Sequence, residues 1–218
     1  PKFLPTVVIC DPELTVGMPG FITAGTGLDA FAHCVEAFCS PHYHPMSQGM
    51  ALEGMRLVKE NLPIAFNDGN NIEARAHMMS AAAMGATAFQ KGLGSIHSVS
   101  HVLGALYKLH HGLANAIILP YGLKQNATAI DERMGHLCRV MDWPGNDTAA
   151  VIKQVLALRQ QLQIPNQLSD VNISAENADE IGLLAFADAS TPSNAMPINA
   201  QQLAALFRAA VRGKLDDL

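Results

Sequence analysis

Two short segments of the sequence place histidine and carboxylate side chains at the spacing of one helical turn. Asp29 and His33 are four residues apart, and so are His97 and His101. On a helix, residues four apart lie on one face with their Cβ atoms about 5–6 Å from each other. A carboxylate oxygen and an imidazole nitrogen at this distance can reach one cation, although the spacing also fits a hydrogen-bonded pair with no further role. Glu36 continues the first polar face.

A further pair of histidines could complete a metal site. His110 and His111 follow the segment that carries His97, in a turn that can fold back over the preceding helix. Asp29, His33, His97 and either His110 or His111 would offer three nitrogens and one oxygen to a divalent cation. Imidazole suits iron, zinc, copper or nickel, and a carboxylate is compatible with iron or zinc.

The composition narrows the classes of protein that this chain can belong to. It has 218 residues, of which 49% are hydrophobic and 15% charged, and this balance excludes intrinsic disorder. The net charge of −5 and the lack of basic runs argue against a nucleic-acid partner. No apolar stretch is long enough for a membrane span, and no secretory signal is recognised, so a cytoplasmic location is expected. The four cysteines form no CxxC pair and are expected to be reduced and buried.

The apolar periodicity predicts an all-α, multi-helix bundle behind a short N-terminal strand. The segment Thr6–Cys10 is rich in β-branched residues, which predicts a short strand. The strand would belong to a strand-and-linker segment at 1–20, followed by a metal-binding helical domain over 21–218. Pro63 is expected to end the second helix. The third helix carries small or apolar residues on every side from residue 78 to 88. This composition predicts a central, buried helix whose small side chains let neighbouring helices approach closely. The predicted helices lie near 28–38, 47–61, 72–89, 95–106, 111–126, 131–140, 148–163, 175–187 and 200–211.

Around these residues the sequence resembles the iron-containing alcohol dehydrogenases, the metal-dependent branch of the dehydroquinate synthase-like fold. The resemblance rests on GTGLDAFAHCVEA at 25–37, GLGSIHSVSHVLGA at 92–105 and HGLANA at 111–116. It covers essentially the whole chain, and the long glycine-histidine segment is far more specific than a short motif.

The resemblance implies an activity and a role for individual residues. The activity is oxidation of an alcohol to an aldehyde or ketone by hydride transfer to NAD or NADP, with Fe²⁺ as the metal and Zn²⁺ as an alternative. His101 matches a histidine that lies near the nicotinamide and the substrate without binding the metal, and it is the candidate catalytic residue. Phe89 matches a residue that lines the cofactor or substrate cleft. The metal ligands implied are Asp29, His33, His97 and His111.

The resemblance also implies that this chain is the C-terminal, dehydroquinate synthase-like α-domain of a two-domain enzyme. The family's N-terminal dinucleotide-binding domain, with its glycine-rich loop, is expected to be absent from this chain, which alone would be inactive. The expected partners are a small-molecule alcohol or aldehyde and the missing domain, with a homo-oligomer as a further option. Two alternatives stay open: a catalytically silent helical scaffold or dimerisation module, and the zinc-using branch related to glycerol dehydrogenase.

Overall fold

The computed structural model describes residues 5–218, which form an all-α bundle. The helices that it contains are α1 (Gly20–Cys39), α2 (Pro45–Asn67), α3 (Ile72–Ala88), α4 (Ser95–Tyr107), α5 (His111–Gln125), α6 (Ala127–Val140), α7 (Thr148–Gln161), α8 (Ala178–Phe186) and α9 (Ala200–Arg212). Short 3₁₀ turns join several of them. None of the helices in this range combines the length and the apolar character needed to cross a membrane.

Helix α1 is the central element of the bundle. It packs against α2, α3 and α5, and its predicted apolar side chains Leu28, Phe31 and Val35 are at most 1% exposed. The buried Lys91 holds its C-terminal end, because its Nζ donates hydrogen bonds to the carbonyl oxygens of Ala37, Phe38 and Ser40. The first polar face predicted from the sequence is therefore carried by a helix with little freedom to move.

Helices α1 and α5 touch through backbone where two glycines meet. A Cβ atom on Gly112 would lie 2.5 Å from the carbonyl oxygen of Gly25, closer than real side chains come to backbone. Any other residue at position 112 would therefore push the two helices apart. Asp29 lies one turn further along α1 and His111 directly precedes Gly112, so this contact sets the separation of the two side chains.

The predicted strand at Thr6–Cys10 is wrong. These residues are not in a strand, and no segment of the range 5–218 pairs with them. The side chains of Val7, Val8 and Ile9 are 73%, 70% and 83% exposed. A β-branched segment becomes a strand only when a neighbour exchanges backbone hydrogen bonds with it. Residues 1–4 of the expected 1–20 segment lie outside the described residues.

The expected end of the second helix at Pro63 is also wrong, because α2 continues to Asn67 with the proline inside it. Proline costs the helix a backbone donor. Two nearby residues compensate, since Leu62 and Ala65 are fully buried and anchor the helix to the core.

Helix α3 is not the central, fully buried helix that its composition suggests. Ala81 and Gly85 are buried, and a Cβ atom on Gly85 would lie 3.1 Å from the Cβ atom of His33, so the predicted close approach to α1 is confirmed. Ala82 and Ala86, on the other side, are exposed. Alanine carries too little apolar area to force a face into the core.

Replacing Gly112 by alanine should separate α1 from α5. The added methyl group would meet the backbone of Gly25, and overpacking of this kind costs about 1–3 kcal/mol. Chemical denaturation of the metal-free protein measures the loss. Gly49→Ala in α2 is the matched control, because nothing lies within 4 Å of its added Cβ and alanine should stabilise the helix by about 0.5–1 kcal/mol. Equal stability of the two variants would contradict the role of the glycine contact.

Thiol labelling should separate the cysteines by burial. Cys34, Cys39 and Cys138 are buried, as expected, but Cys10 is exposed, so the expectation was wrong for this residue. Burial raises the pKa of Cys34 to about 12, and burial likewise dominates at Cys39, whose pKa is also raised to about 12. A chromogenic disulfide reagent that reacts with free thiols at pH 8 should therefore label Cys10 at once and the other three cysteines only after denaturation. Rapid labelling of a second cysteine in the native protein would show that the core is open.

Candidate metal centre

Three helices bring the four implied ligands to one point. Asp29 and His33 lie in the middle of α1, His97 lies in the first turn of α4, and His111 is the first residue of α5. One donor atom from each residue lies within 4.8 Å of all the others. Asp29 Oδ1 is 3.7 Å from His97 Nε2 and 3.4 Å from His111 Nε2. The two i,i+4 faces seen in the sequence therefore meet in space.

The imidazole rings form a compact group that opens to the surface on one side. The rings of His33 and His97 are stacked with centroids 4.6 Å apart, and the rings of His97 and His111 lie 5.5 Å apart. The side chain of His97 is 1% exposed and that of His111 is 39% exposed. A small molecule could therefore approach from the side of His111.

The amide of Asn115 marks the point on which the ligand atoms converge. Its Nδ2 atom lies 2.6 Å from Asp29 Oδ1 and 3.1 Å from both His97 Nε2 and His111 Nε2. An amide nitrogen has only two hydrogens, so it cannot donate to all three of these atoms. Its buried Oδ1 atom has no hydrogen-bond partner within the described chain. A divalent cation at this point would satisfy the carboxylate oxygen and the imidazole nitrogens better than one amide group does.

The chemistry of the donor set fits a divalent first-row metal. One carboxylate oxygen and three imidazole nitrogens are compatible with Fe²⁺ or Zn²⁺. No role for Asn115 is predicted from the sequence, although it lies four residues after His111 and this spacing puts both on one face of α5.

The environment sets the charges of the partly buried ligands. Burial acts to raise the pKa of Asp29, but the hydrogen bonds to His97 and Asn115 and the charge of His33 outweigh it and lower that pKa to about 2. Burial, together with the charge of His97, lowers the pKa of His33 to about 4, and burial also lowers the pKa of His111. At neutral pH the aspartate is therefore ionised, and His33 and His111 have lone pairs available for a metal.

His97 is held between two carboxylates. Its Nδ1 atom lies 2.6 Å from Glu36 Oε2, and its Nε2 atom faces Asp29. Burial acts to lower the pKa of His97, but the hydrogen bonds to Asp29 and Glu36 raise it to about 9. The carboxylates therefore compensate for the burial of this ring. The residue spacing predicts Glu36 on the polar face of α1 but does not predict its contact with α4.

The two other histidines near the cluster, His110 and His101, are not among its four candidate ligands. His110 caps α5, because its Nδ1 accepts a hydrogen bond from the backbone N–H of Leu113 (3.3 Å). The structure thus brings His111, and not His110, into the cluster. His101 lies one turn after His97, with its ring stacked 5.3 Å from that of His111 and its Nδ1 2.9 Å from Asp188 Oδ2. Asp188 is 87 residues away in the chain, and nothing in the sequence signals the pairing.

Phe89 also lies next to the cluster. Its ring centroid is 5.1 Å from that of His33, and its side chain is partly buried. The two residues that the family resemblance placed near a cofactor, Phe89 and His101, therefore both border the predicted ligands.

Comparison with known proteins identifies the class of protein that this fold and site define. Residues 23–211 match the family model for the C-terminal region of the Fe-containing alcohol dehydrogenases. The chain is 41% identical over 187 residues to a 4-hydroxybutyrate dehydrogenase of Cupriavidus necator, covering 82% of this chain and 48% of the relative. It is 34% identical over 217 residues to an NAD-dependent methanol dehydrogenase of Bacillus methanolicus, covering 96% and 57%.

A solved structure supports the same assignment. The crystal structure of a 1,3-propanediol oxidoreductase matches the fold with a TM-score of 0.91 and 34% sequence identity, over 95% of this chain and 56% of that one. The chain belongs to the iron-containing alcohol dehydrogenase family and corresponds to its C-terminal domain. It spans about half the length of the curated relatives that it matches.

Binding of a divalent cation should stabilise the protein only when the cluster is intact. With free Zn²⁺ at about 100 times its dissociation constant, the gain is about 2.7 kcal/mol. His97→Ala and His111→Ala each remove one donor and should abolish this gain, measured as a shift in melting temperature. His77→Ala is the control, since His77 lies on α3 and pairs only loosely with Glu73 (3.9 Å). Full metal occupancy in both cluster variants by elemental analysis would contradict the ligand assignment.

Proposed function

We propose that this chain carries the metal centre of an NAD(P)-dependent alcohol dehydrogenase, which interconverts an alcohol and an aldehyde or ketone. The observation that carries the proposal is the meeting of Asp29, His33, His97 and His111 donor atoms within 4.8 Å of one another. The proposed metal is Fe²⁺, with Zn²⁺ as the alternative that the same ligand set accepts. Membership of the iron-containing family supports the first choice.

The proposed metal and the surrounding residues have different tasks. A divalent cation at this site supplies Lewis-acid chemistry, because it stabilises negative charge on an alcohol or carbonyl oxygen. The protein fixes the donor atoms through α1, α4 and α5, and it excludes water from the side of the cluster where His97 is buried. The open side, next to His111, is where a small alcohol or aldehyde would enter.

His101 is the proposed residue that holds or relays the alcohol proton. It lies beside the cluster, and its side chain is 43% exposed, so substrate can reach it. Its hydrogen bond to Asp188 occupies Nδ1 and leaves Nε2 free for a substrate hydroxyl. A histidine with one nitrogen fixed by a carboxylate is well suited to general acid–base work.

Phe89 is the proposed apolar wall of the cofactor cleft. Its ring centroid lies 5.1 Å from that of His33, and this contact supports the proposal. The relatives are about twice as long as this chain, and we propose that their additional length includes a dinucleotide-binding domain that delivers NAD or NADP to this cleft. The C-terminal domain alone should therefore bind metal but show negligible turnover.

Replacing His101 should separate catalysis from metal binding. His101→Ala in a polypeptide that also contains the dinucleotide-binding domain should keep its metal and lose about 10²- to 10⁴-fold in kcat, as expected when a general acid or base is removed. The assay follows NAD(P)⁺ reduction with 1,3-propanediol, methanol or 4-hydroxybutyrate after anaerobic loading with Fe²⁺. An unchanged kcat would contradict the role of His101, and efficient alcohol oxidation by the 218-residue chain alone would contradict the two-domain proposal.

A further inference from the structure

The N-terminus of α4 has no cap from its own segment. The residue before the helix is Gly94, which has no side chain to accept hydrogen bonds from the first turn. Two side chains from elsewhere take this role: the backbone N–H of Ser95 donates to Asn194 Oδ1 (3.0 Å), and the backbone N–H of Ile96 donates to Glu36 Oε1 (2.8 Å). A carboxylate is the favoured partner here, since a helix N-terminus carries partial positive charge.

Glycine at position 94 allows these two caps to approach. A Cβ atom there would lie 2.6 Å from Asn194 Oδ1 and 3.0 Å from Glu36 Oε1. Any larger residue would displace one cap or the other. The segment GLGS at 92–95 therefore has a structural reason to place glycine directly before α4.

Glu36 makes a second contact that Asn194 does not make. While Oε1 accepts from the helix, Oε2 lies 2.6 Å from the Nδ1 atom of His97. Glu36 is 7% exposed, so its carboxylate has no other orientation that water could stabilise. With Nδ1 engaged, the only ring nitrogen of His97 that can face Asp29 and Asn115 is Nε2.

We infer that Glu36 is the positioning residue of the metal centre: it fixes the ring of His97 with the proton on Nδ1 and the Nε2 lone pair directed at the cation. The inference rests on the proposed metal centre described above. The carboxylate is itself held by the backbone of α4, so the helix that carries the ligand also fixes the group that orients the ligand. Hydrogen bonds from metal-bound histidines to carboxylates commonly raise metal affinity in this way.

The geometry predicts why glutamine cannot replace Glu36. A carboxylate accepts hydrogen bonds at both oxygens, whereas a glutamine side chain has one acceptor and one NH₂ donor. If its oxygen faces His97, its NH₂ group meets the backbone N–H of Ile96. If the oxygen faces Ile96, the NH₂ group meets Nδ1 and favours a proton on Nε2, where the metal must bind.

The experiment compares Glu36→Gln with Asn194→Ala in the full 218-residue chain, with Zn²⁺ alone as the probe. Glu36→Gln should weaken Zn²⁺ binding about 10- to 100-fold, measured by competition with a chromogenic chelator. Asn194→Ala removes the other cap of α4 without touching His97, so it should lower the melting temperature of the metal-free protein and leave Zn²⁺ affinity unchanged. With Co²⁺ in place of Zn²⁺, the d–d absorption spectrum should change in Glu36→Gln only.

Each outcome decides the inference. Wild-type Zn²⁺ affinity in Glu36→Gln would overturn it, and equal losses of affinity in the two variants would show that Glu36 acts only as a helix cap. Nitrogen-15 spectra of the Zn²⁺-loaded wild type provide a test that needs no variant, because a His97 ring bound through Nδ1 would also overturn the inference. If the wild-type chain bound no Zn²⁺ at all, the proposed metal centre itself would be wrong.

Discussion

The backbone contact between α1 and α5 is the constraint on which the rest of the structure depends. Gly112 lets α5 approach the backbone of Gly25 in α1 more closely than a side chain at position 112 would allow. Because Asp29 is one turn from this contact and His111 is next to it, the pairing of a carboxylate with an imidazole follows from it. Without such an approach, the i,i+4 face of α1 would border the core with no partner from α5.

The cluster is a polar network built inside an apolar bundle, and its stability requires that every group has a partner. Carboxylates lie on both sides of the His97 ring, and the amide of Asn115 bridges Asp29, His97 and His111. This network lowers the cost of burying charge but leaves Asn115 Oδ1 unpaired within the described residues. The four candidate donor atoms therefore lie close enough together to hold one cation, as we propose.

The cluster has a buried side and a partly exposed side. On the buried side, hydrogen bonds accepted by Glu36 hold the His97 ring and the start of α4. On the exposed side, the ring of His101 is stacked on that of His111, whose side chain is 39% exposed. Phe89 borders the cluster at the ring of His33. The substrate entry that we propose lies on the exposed side.

The sequence by itself determined the helical class and the two polar faces that carry the candidate ligands, because helical periodicity is a local property that residue types and spacing record. It misled at Pro63, α3 and Thr6–Cys10, where burial or a pairing partner overrides local preference. The spacing left His110 and His111 open and the family resemblance favoured His111, which the tertiary structure brings into the cluster. Only the tertiary structure revealed the contacts of Glu36, Asn115 and Asp188. Those contacts join residues from different helices, and their distances depend on how closely the helices pack, which no local pattern encodes.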